Sequence, residues 1–270
     1  AQADGDLFSW YKANAEGYNV KISDPNVWIS QIQGPKSMEL LSKLIKEDIA
    51  EKWNYFDCKE VTILSEKIII SRTGFTNELG WEIYFRPENN AEKIGDLILS
   101  EGKKMGMILT ATPSFRGRRI EAGLLSAGQD FDKNTNPFSV GLGKFVDLDK
   151  KDFIGKKALS NVEKKCRTWG LRIKENVALK GENIFSNNKV IGRVTSSTWS
   201  PFQVCGVAII HLNNYQFGPG SVIDVKCSDG KIYKGEICSL PMYDKKNEIV
   251  RGLIENIPTK PEPWPGIQTK

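Results

Sequence analysis

Histidine is nearly absent: His211 stands alone among 270 residues. A single imidazole rules out a multi-histidine metal site and argues against a Ser-His-Asp triad. His211 falls in the apolar run Val207-Ala-Ile-Ile-His-Leu212, where a structural role is expected. Cysteine is sparse as well. The five thiols, Cys58, Cys166, Cys205, Cys227 and Cys238, are odd in number and no pair has CxxC spacing. They are read as free thiols of a reducing cytosol, so no metal site and no disulfide frame is expected, and the expected location is cytoplasmic. No apolar run approaches the ~20 residues of a membrane span, and no membrane partner is expected. Charge of one sign is not in large excess: 38 Lys+Arg against 33 Asp+Glu leave a net charge of +5. That surplus is too small and too dispersed to predict a nucleic-acid partner. It fits a generic basic surface, or a groove for a polyanionic tail. Repeats and low-complexity tracts are also missing. Whatever chemistry the chain performs must rest on carboxylates and binding geometry.

What is present is the composition of a globular protein, 40% hydrophobic and 26% charged, at a length that suits one large domain or two ordinary ones. Residues 5–17 read as a helix and 18–33 as two short strands around Asp24-Pro25. Ile29-Ser-Gln-Ile-Gln33 alternates cleanly until Gly34-Pro35 stops it. Apolar residues at helical spacing predict helices over 36–45 and 91–105. A hairpin is expected over 61–72, a third strand over 81–86, and a short helix over 115–125 whose arginines face away from Ile120 and Leu124. A further short helix is expected over 156–162. Beyond Cys166 strands dominate, at 167–174, 189–199, 204–212, 221–226 and 231–240, with turns at Gly218-Pro-Gly220 and Asp229-Gly230. Regular short strands of this kind predict a small barrel or sandwich. The fold class is therefore α+β. The expected organisation is an α+β region over 1–165, an antiparallel β-barrel over 166–257 and an extended, proline-bearing tail over 258–270. Ala1-Gln-Ala-Asp-Gly-Asp does not look like a natural start, and a further N-terminal segment or a second chain is expected as partner.

The most informative stretch is Arg72-Thr-Gly-Phe-Thr-Asn-Glu-Leu-Gly-Trp-Glu-Ile-Tyr84. It is a turn of small and polar residues leading into an alternating strand. Glu82 stands just inside that strand, between aromatic neighbours. A carboxylate there can accept two parallel hydrogen bonds from the edge of a flat heterocycle, with Phe75 and Tyr84 as ligand walls; a solvated glutamate on an edge strand is the plainer reading. Arg116, Arg118 and Arg119 can grip an acidic ligand bidentately or be tied up in salt bridges, for example Arg119 with Glu121 or Asp130. Gly128-Gln-Asp-Phe-Asp132 is a polar loop in which Asp130 or Asp132 has the chemistry of a general base. Trp199, in Thr195-Ser-Ser-Thr-Trp-Ser-Pro201, either covers a ligand cleft or simply packs.

Together these segments resemble the glycine-cleavage T-protein family. The motifs that carry the resemblance are Thr73-Gly-Phe-Thr-Asn-Glu-Leu-Gly-Trp-Glu82, Arg119-Ile-Glu-Ala-Gly123, Gly128-Gln-Asp130, Asn136-Pro137, Asp152-Phe-Ile-Gly-Lys-Lys-Ala-Leu159 and Thr195 to Pro201, in the family's order. Gln33-Gly-Pro-Lys-Ser37, Asn54-Tyr-Phe-Asp57, Trp81-Glu-Ile-Tyr84 and Gly123-Leu-Leu-Ser126 look most similar to the dimethylsulfoniopropionate demethylase branch. The resemblance implies a folate-binding α/β region followed by a β-barrel, with tetrahydrofolate as cofactor. It implies a methyl group moved from a small sulfonium or methylammonium donor to N5. Two alternatives stand beside this: aminomethyl transfer from a lipoyl carrier protein, and a non-enzymatic folate-binding accessory protein. Under the resemblance Glu82 holds the pterin, and Phe75, Tyr55, Arg116, Arg119 and Trp199 contribute to the cofactor site. Tyr84 and Phe75 face the substrate. No catalytic residue is assigned, because the family's aspartate belongs to an N-terminal region with no counterpart here. Phe115 also stands where the family has an arginine, and Phe75 where it has a tyrosine or tryptophan.

Overall fold

The computed structural model describes residues 7–47, 53–110 and 112–254. They form two compact units. One runs from the start of the described chain to Arg116 and takes in the stretch from Lys246; the other is Gly117–Lys245. The tail expected over 258–270 lies outside the described residues, as does the start of the helix expected over 5–17. No helix among the described residues is long and apolar enough to cross a membrane.

The first unit is built on four strands, β1 (Trp28–Gln33), β2 (Cys58–Ile63), β3 (Glu66–Ser71) and β4 (Gly80–Phe85), in the order β1-β4-β3-β2 with every pair antiparallel. Period-2 alternation places Val61, Ile63, Ile68, Ile70, Trp81, Ile83 and Phe85 in one core. The β2–β3 turn is Leu64-Ser65, with both residues at positive φ (48° and 73°), the two-residue geometry that matches strand twist. Before β1, helix α1 (Leu7–Ala13) buries none of its residues. The strand expected ahead of Asp24-Pro25 does not form. Asp24 Oδ1 instead accepts the Asn26 N–H at 2.8 Å, and Asn26 takes φ 49°, a side-chain-closed turn that takes the backbone out of extended geometry.

Helices α2 (Ser37–Leu44) and α3 (Ala91–Lys104) add Leu40, Leu41, Leu44, Ile94 and Ile98 to the same core. The ends of α3 follow from its sequence. The Asn90 side chain accepts the Lys93 N–H at 3.0 Å, and Lys103 and Lys104 lie at the negative end of the helix. Gly106, at φ 83°, closes it: Gly106 N–H bonds to Lys103 O and Met107 N–H to Gly102 O.

Helix α4 (Thr112–Glu121) leads into the second unit. It starts earlier and ends earlier than the helix expected over 115–125. Its arginines do not all face away from Ile120: Arg119 is buried, 3% exposed, because acceptors gather around its guanidinium. The short helix α5 (Lys156–Ser160) follows, and then β5 (Thr168–Ile173), β6 (Asn183–Ser186), β7 (Lys189–Ser200), β8 (Cys205–Leu212), β9 (Val222–Lys226) and β10 (Ile232–Cys238). They close a barrel in the order β10-β5-β8-β7-β6-β9, antiparallel throughout. Closure removes free sheet edges, and Leu171, Ile184, Val194, Ile210, Ile223 and Ile237 fill the interior. Strand β6 has no counterpart among the expected strands, and it completes the ring between β7 and β9.

Candidate functional site

Alternation along β4 turns Trp81, Ile83 and Phe85 into the core and presents Glu82 and Tyr84, both half-buried, on the opposite face. Register places Gln31 of β1 and Ser71 of β3 on either side of Glu82, while Ile29 and Ile69 flank Tyr84. The Glu82 carboxylate is held from three directions. Gln31 Nε2 donates to Oε1 at 2.8 Å, Tyr84 Oη donates to Oε2 at 3.2 Å, and the Thr73 hydroxyl donates to the same Oε2. Burial first, and the nearby Glu82 charge second, push the Tyr84 phenol above its ordinary range. The Tyr55 phenol is raised for the same two reasons, in the same order. The site is thus a carboxylate held by three donors beside the Tyr84 phenol, able to accept hydrogen bonds from a polar ring edge.

The remaining expected site residues are spread over both units. Phe75 lies against Phe115 with ring centroids 5.5 Å apart, in the first unit. Arg116 follows Phe115 and is exposed. Trp199 is half-buried in β7, opposite Gly206. Arg119 is engaged on both terminal nitrogens. Nη1 donates to Asp130 Oδ2 at 2.7 Å and to Leu124 O at 3.0 Å; Nη2 donates to Ser196 Oγ at 2.8 Å. Asp130 Oδ1 in turn accepts Thr195 Oγ1 at 2.6 Å and Ser196 Oγ at 2.7 Å. Consecutive strand residues ordinarily point to opposite faces. The register shift between Val194 and Ser196 is a bulge that brings both hydroxyls onto one carboxylate oxygen. Asp130 is therefore consumed in a buried network. Arg118 has its own partners: it pairs with Glu121 and lies over the rings of Phe202, at 4.3 Å, and Tyr243, at 4.9 Å.

His211 is held in the barrel wall, its Nδ1 2.9 Å from Thr168 Oγ1. The cysteines carry no disulfide: Cys58 is exposed, Cys166 half-buried, and Cys205, Cys227 and Cys238 buried. Burial pushes the Cys227 thiol up to about 11, which keeps it protonated and inert. Sequence reasoning passed over the donors that fix Glu82. In the sequence Thr73 reads only as part of a turn and Gln31 only as part of an alternating strand; the pairing of β1 with β4 shows that Gln31 stands opposite Glu82.

Comparison with known proteins bears on what such a site serves. The GCVT N-terminal domain model matches residues 1–150, and the glycine cleavage T-protein C-terminal barrel domain matches residues 167–244. The chain is similar to the aminomethyltransferase of Thermotoga sp. (strain RQ2), at 31% identity over 87% of this chain and 65% of the relative. It is similar to that of Thermosipho melanesiensis at 34% identity, over 87% and 64% of the respective chains. A crystal structure of glycine cleavage system aminomethyltransferase T from Bartonella henselae shares the fold, with a TM-score of 0.77 at 23% identity, over 88% of this chain and 66% of that one. The chain thus spans just under two thirds of the length of these relatives. An N-terminal-domain match and a barrel match, in that order along one chain, establish that the protein belongs to the glycine cleavage T-protein family.

Proposed function

We propose that this chain binds tetrahydrofolate at Glu82 and takes part in one-carbon transfer to it, the unit carried being an aminomethyl group. The observation that carries the reading is the Glu82 carboxylate, presented on the face of β4 away from the core with the Tyr84 hydroxyl 3.2 Å from it. Its oxygens are spaced to receive a ring N–H and an exocyclic amine together, the donor pair on a pterin edge. Gln31 is exposed, so its amide can turn to water when such an edge arrives. The phenols, with Phe75 against Phe115, supply apolar faces for a flat ring. Arg116, exposed beyond Phe115, is the arginine available for a carboxylate of the ligand; Arg119 is assigned to the barrel's internal network. Tetrahydrofolate would supply the nitrogen that receives the one-carbon unit. The protein's own work is to orient that ring and keep water from it, and positioning of this kind can supply ~7–11 kcal/mol of a barrier.

The donor separates this reading from the methyl-transfer reading of the sequence. The two relatives described above carry the name aminomethyltransferase, which favours a lipoyl-borne aminomethyl donor over a sulfonium. Calorimetry with tetrahydrofolate tests the site: Glu82→Gln should weaken binding by about 1.5–3 kcal/mol, the scale of a charged hydrogen bond. An unchanged dissociation constant would remove Glu82 from the site. Product analysis tests the chemistry: methylene-tetrahydrofolate from an aminomethyl-lipoyl carrier supports the proposal, and methyl-tetrahydrofolate from dimethylsulfoniopropionate replaces it.

A further inference from the structure

Gln33 ends β1 on the same face as Gln31, directly opposite Gly80. Its amide fills the space between Gly74 and Gly80. A Cβ built on Gly74 would stand 2.5 Å from Gln33 Oε1, and one on Gly80 2.5 Å from Gln33 Cδ. At neither position can a larger residue coexist with this side chain as placed. Neither glycine lies at a positive φ that would demand glycine, and a Cβ at either would displace the far end of the Gln33 side chain. Both ends of the amide are used. Oε1 accepts the Thr76 hydroxyl at 2.8 Å, while Nε2 faces Thr73 O at 3.4 Å and Trp81 O at 3.5 Å. One side chain thus touches the turn at its start, its middle and its exit. The next residues tie down the same exit: Gly34 N–H donates to Leu79 O at 2.7 Å, and Ser37 Oγ donates to it at 3.1 Å.

The Thr73 hydroxyl, whose own carbonyl faces Gln33, is one of the three donors on Glu82 and also lies 2.8 Å from Ser71 Oγ. A hydroxyl on a free turn would sample several rotamers and positions. The Gln33 amide spans the carbonyls of Thr73 and Trp81, and so links the turn that carries the donor to the strand that carries the carboxylate. We propose that Gln33 is a positioning residue: its amide, locked between Gly74 and Gly80, sets the Thr73–Glu82 hydrogen bond and so the aim of the Glu82 carboxylate. As a statement about tetrahydrofolate this rests on the function proposed above; as a statement about Glu82 it stands by itself.

The test is a cycle of Gln33→Met and Glu82→Gln in the full chain. Methionine keeps the length and volume of glutamine but neither accepts from Thr76 nor donates to the carbonyls. Tetrahydrofolate binding is read by calorimetry, and the Tyr84 phenol titration by its absorbance, with Tyr84→Phe as the blank. Gln33→Met should weaken tetrahydrofolate about tenfold in the parent and less than twofold in the Glu82→Gln background, the non-additivity of residues acting through one group. It should also displace the Tyr84 titration, since Glu82 is one of the charges Tyr84 senses. Equal losses in both backgrounds, or none in either, would overturn the proposal, because a merely structural glutamine costs the same with or without Glu82. If tetrahydrofolate does not bind the parent at all, the folate reading falls and the phenol decides: a displaced Tyr84 titration upholds Gln33 as the residue that aims Glu82, and an unmoved one overturns it. Should Gln33→Met fail to fold, Gln33→Leu, which also removes both ends of the amide and adds no charge, is carried through the same cycle with the same criteria.

Discussion

Replacing Arg119 with methionine should destabilise the barrel unit rather than merely impair a ligand site. The guanidinium is 3% exposed and its partner Asp130 is fully buried, with 2.7 Å between them. Methionine keeps much of the aliphatic volume, so the packing loss is small. What remains is a buried carboxylate whose support is reduced to the Thr195 and Ser196 hydroxyls and the Ser126 N–H. Those neutral donors do not replace a cation in a desolvated site. Removing one member of a buried ion pair costs about 3–5 kcal/mol, much of it from stranding the other charge. At roughly 2–4 °C per kcal/mol for a chain of this size, the melting temperature should fall by about 6–20 °C. Thermal and urea melts followed by far-UV circular dichroism measure this. The double variant Arg119→Met/Asp130→Asn should recover part of the loss, since the stranded charge is gone. Arg116→Met, at an exposed position, should stay within about 0.5 kcal/mol of the parent. A Arg119→Met protein that melts with the parent but binds tetrahydrofolate poorly would refute the argument and return Arg119 to the ligand site.

Two further outcomes are expected. The folded-state His211 pKa lies below its ordinary 6.5, first through burial and then through Arg167 and Arg193, with Asp132 opposing; the unfolded imidazole therefore takes a proton before the folded one, and its contribution is whole above pH 6.5 and lost as pH falls below it. The urea midpoint should decline in that window, and His211→Gln should flatten that decline; identical slopes would refute the assignment. Asn90→Ala removes the side chain that caps α3 and should cost about 1 kcal/mol in urea unfolding, so a change below about 0.3 kcal/mol would show the cap to be idle.

Much of the architecture is legible in the residue pattern. Alternation in Trp81-Glu-Ile-Tyr-Phe85 matches the core and open faces of β4, and apolar spacing places α3 within a residue of its expected span. Strand β6 escapes because it is four residues long with Ile184 as its one fully buried residue, too short for periodicity to register. The helix over α4 was expected to turn its arginines outward, which is sound for an isolated amphipathic helix. Nothing local announces that a bulge seventy-odd residues later will aim Thr195 and Ser196 at Asp130. The same limit governs the site. Glu82 stands out by its neighbours in sequence, whereas Gln31, Gln33 and Thr73 matter through strand register and turn closure. Those are properties of paired segments.

The first unit is closed by residues that come after the barrel in the chain: Gly252 lies so near the Arg72 guanidinium that a Cβ added there would be 2.7 Å from Nη2. During synthesis, the N-terminal sheet therefore emerges from the ribosome well before its last contacts exist, with the whole of β5 to β10 still to be made. At ~5–20 residues per second, the stretch from Arg116 to Gly252 occupies the ribosome for several seconds to about half a minute, long compared with the time a small sheet needs to collapse. The nascent first unit must wait, without the stretch from Lys246 that belongs to it, until a barrel has been translated between its two parts. Premature termination anywhere in the barrel would thus leave the first unit short of its last stretch, and not only remove the strands that are lost.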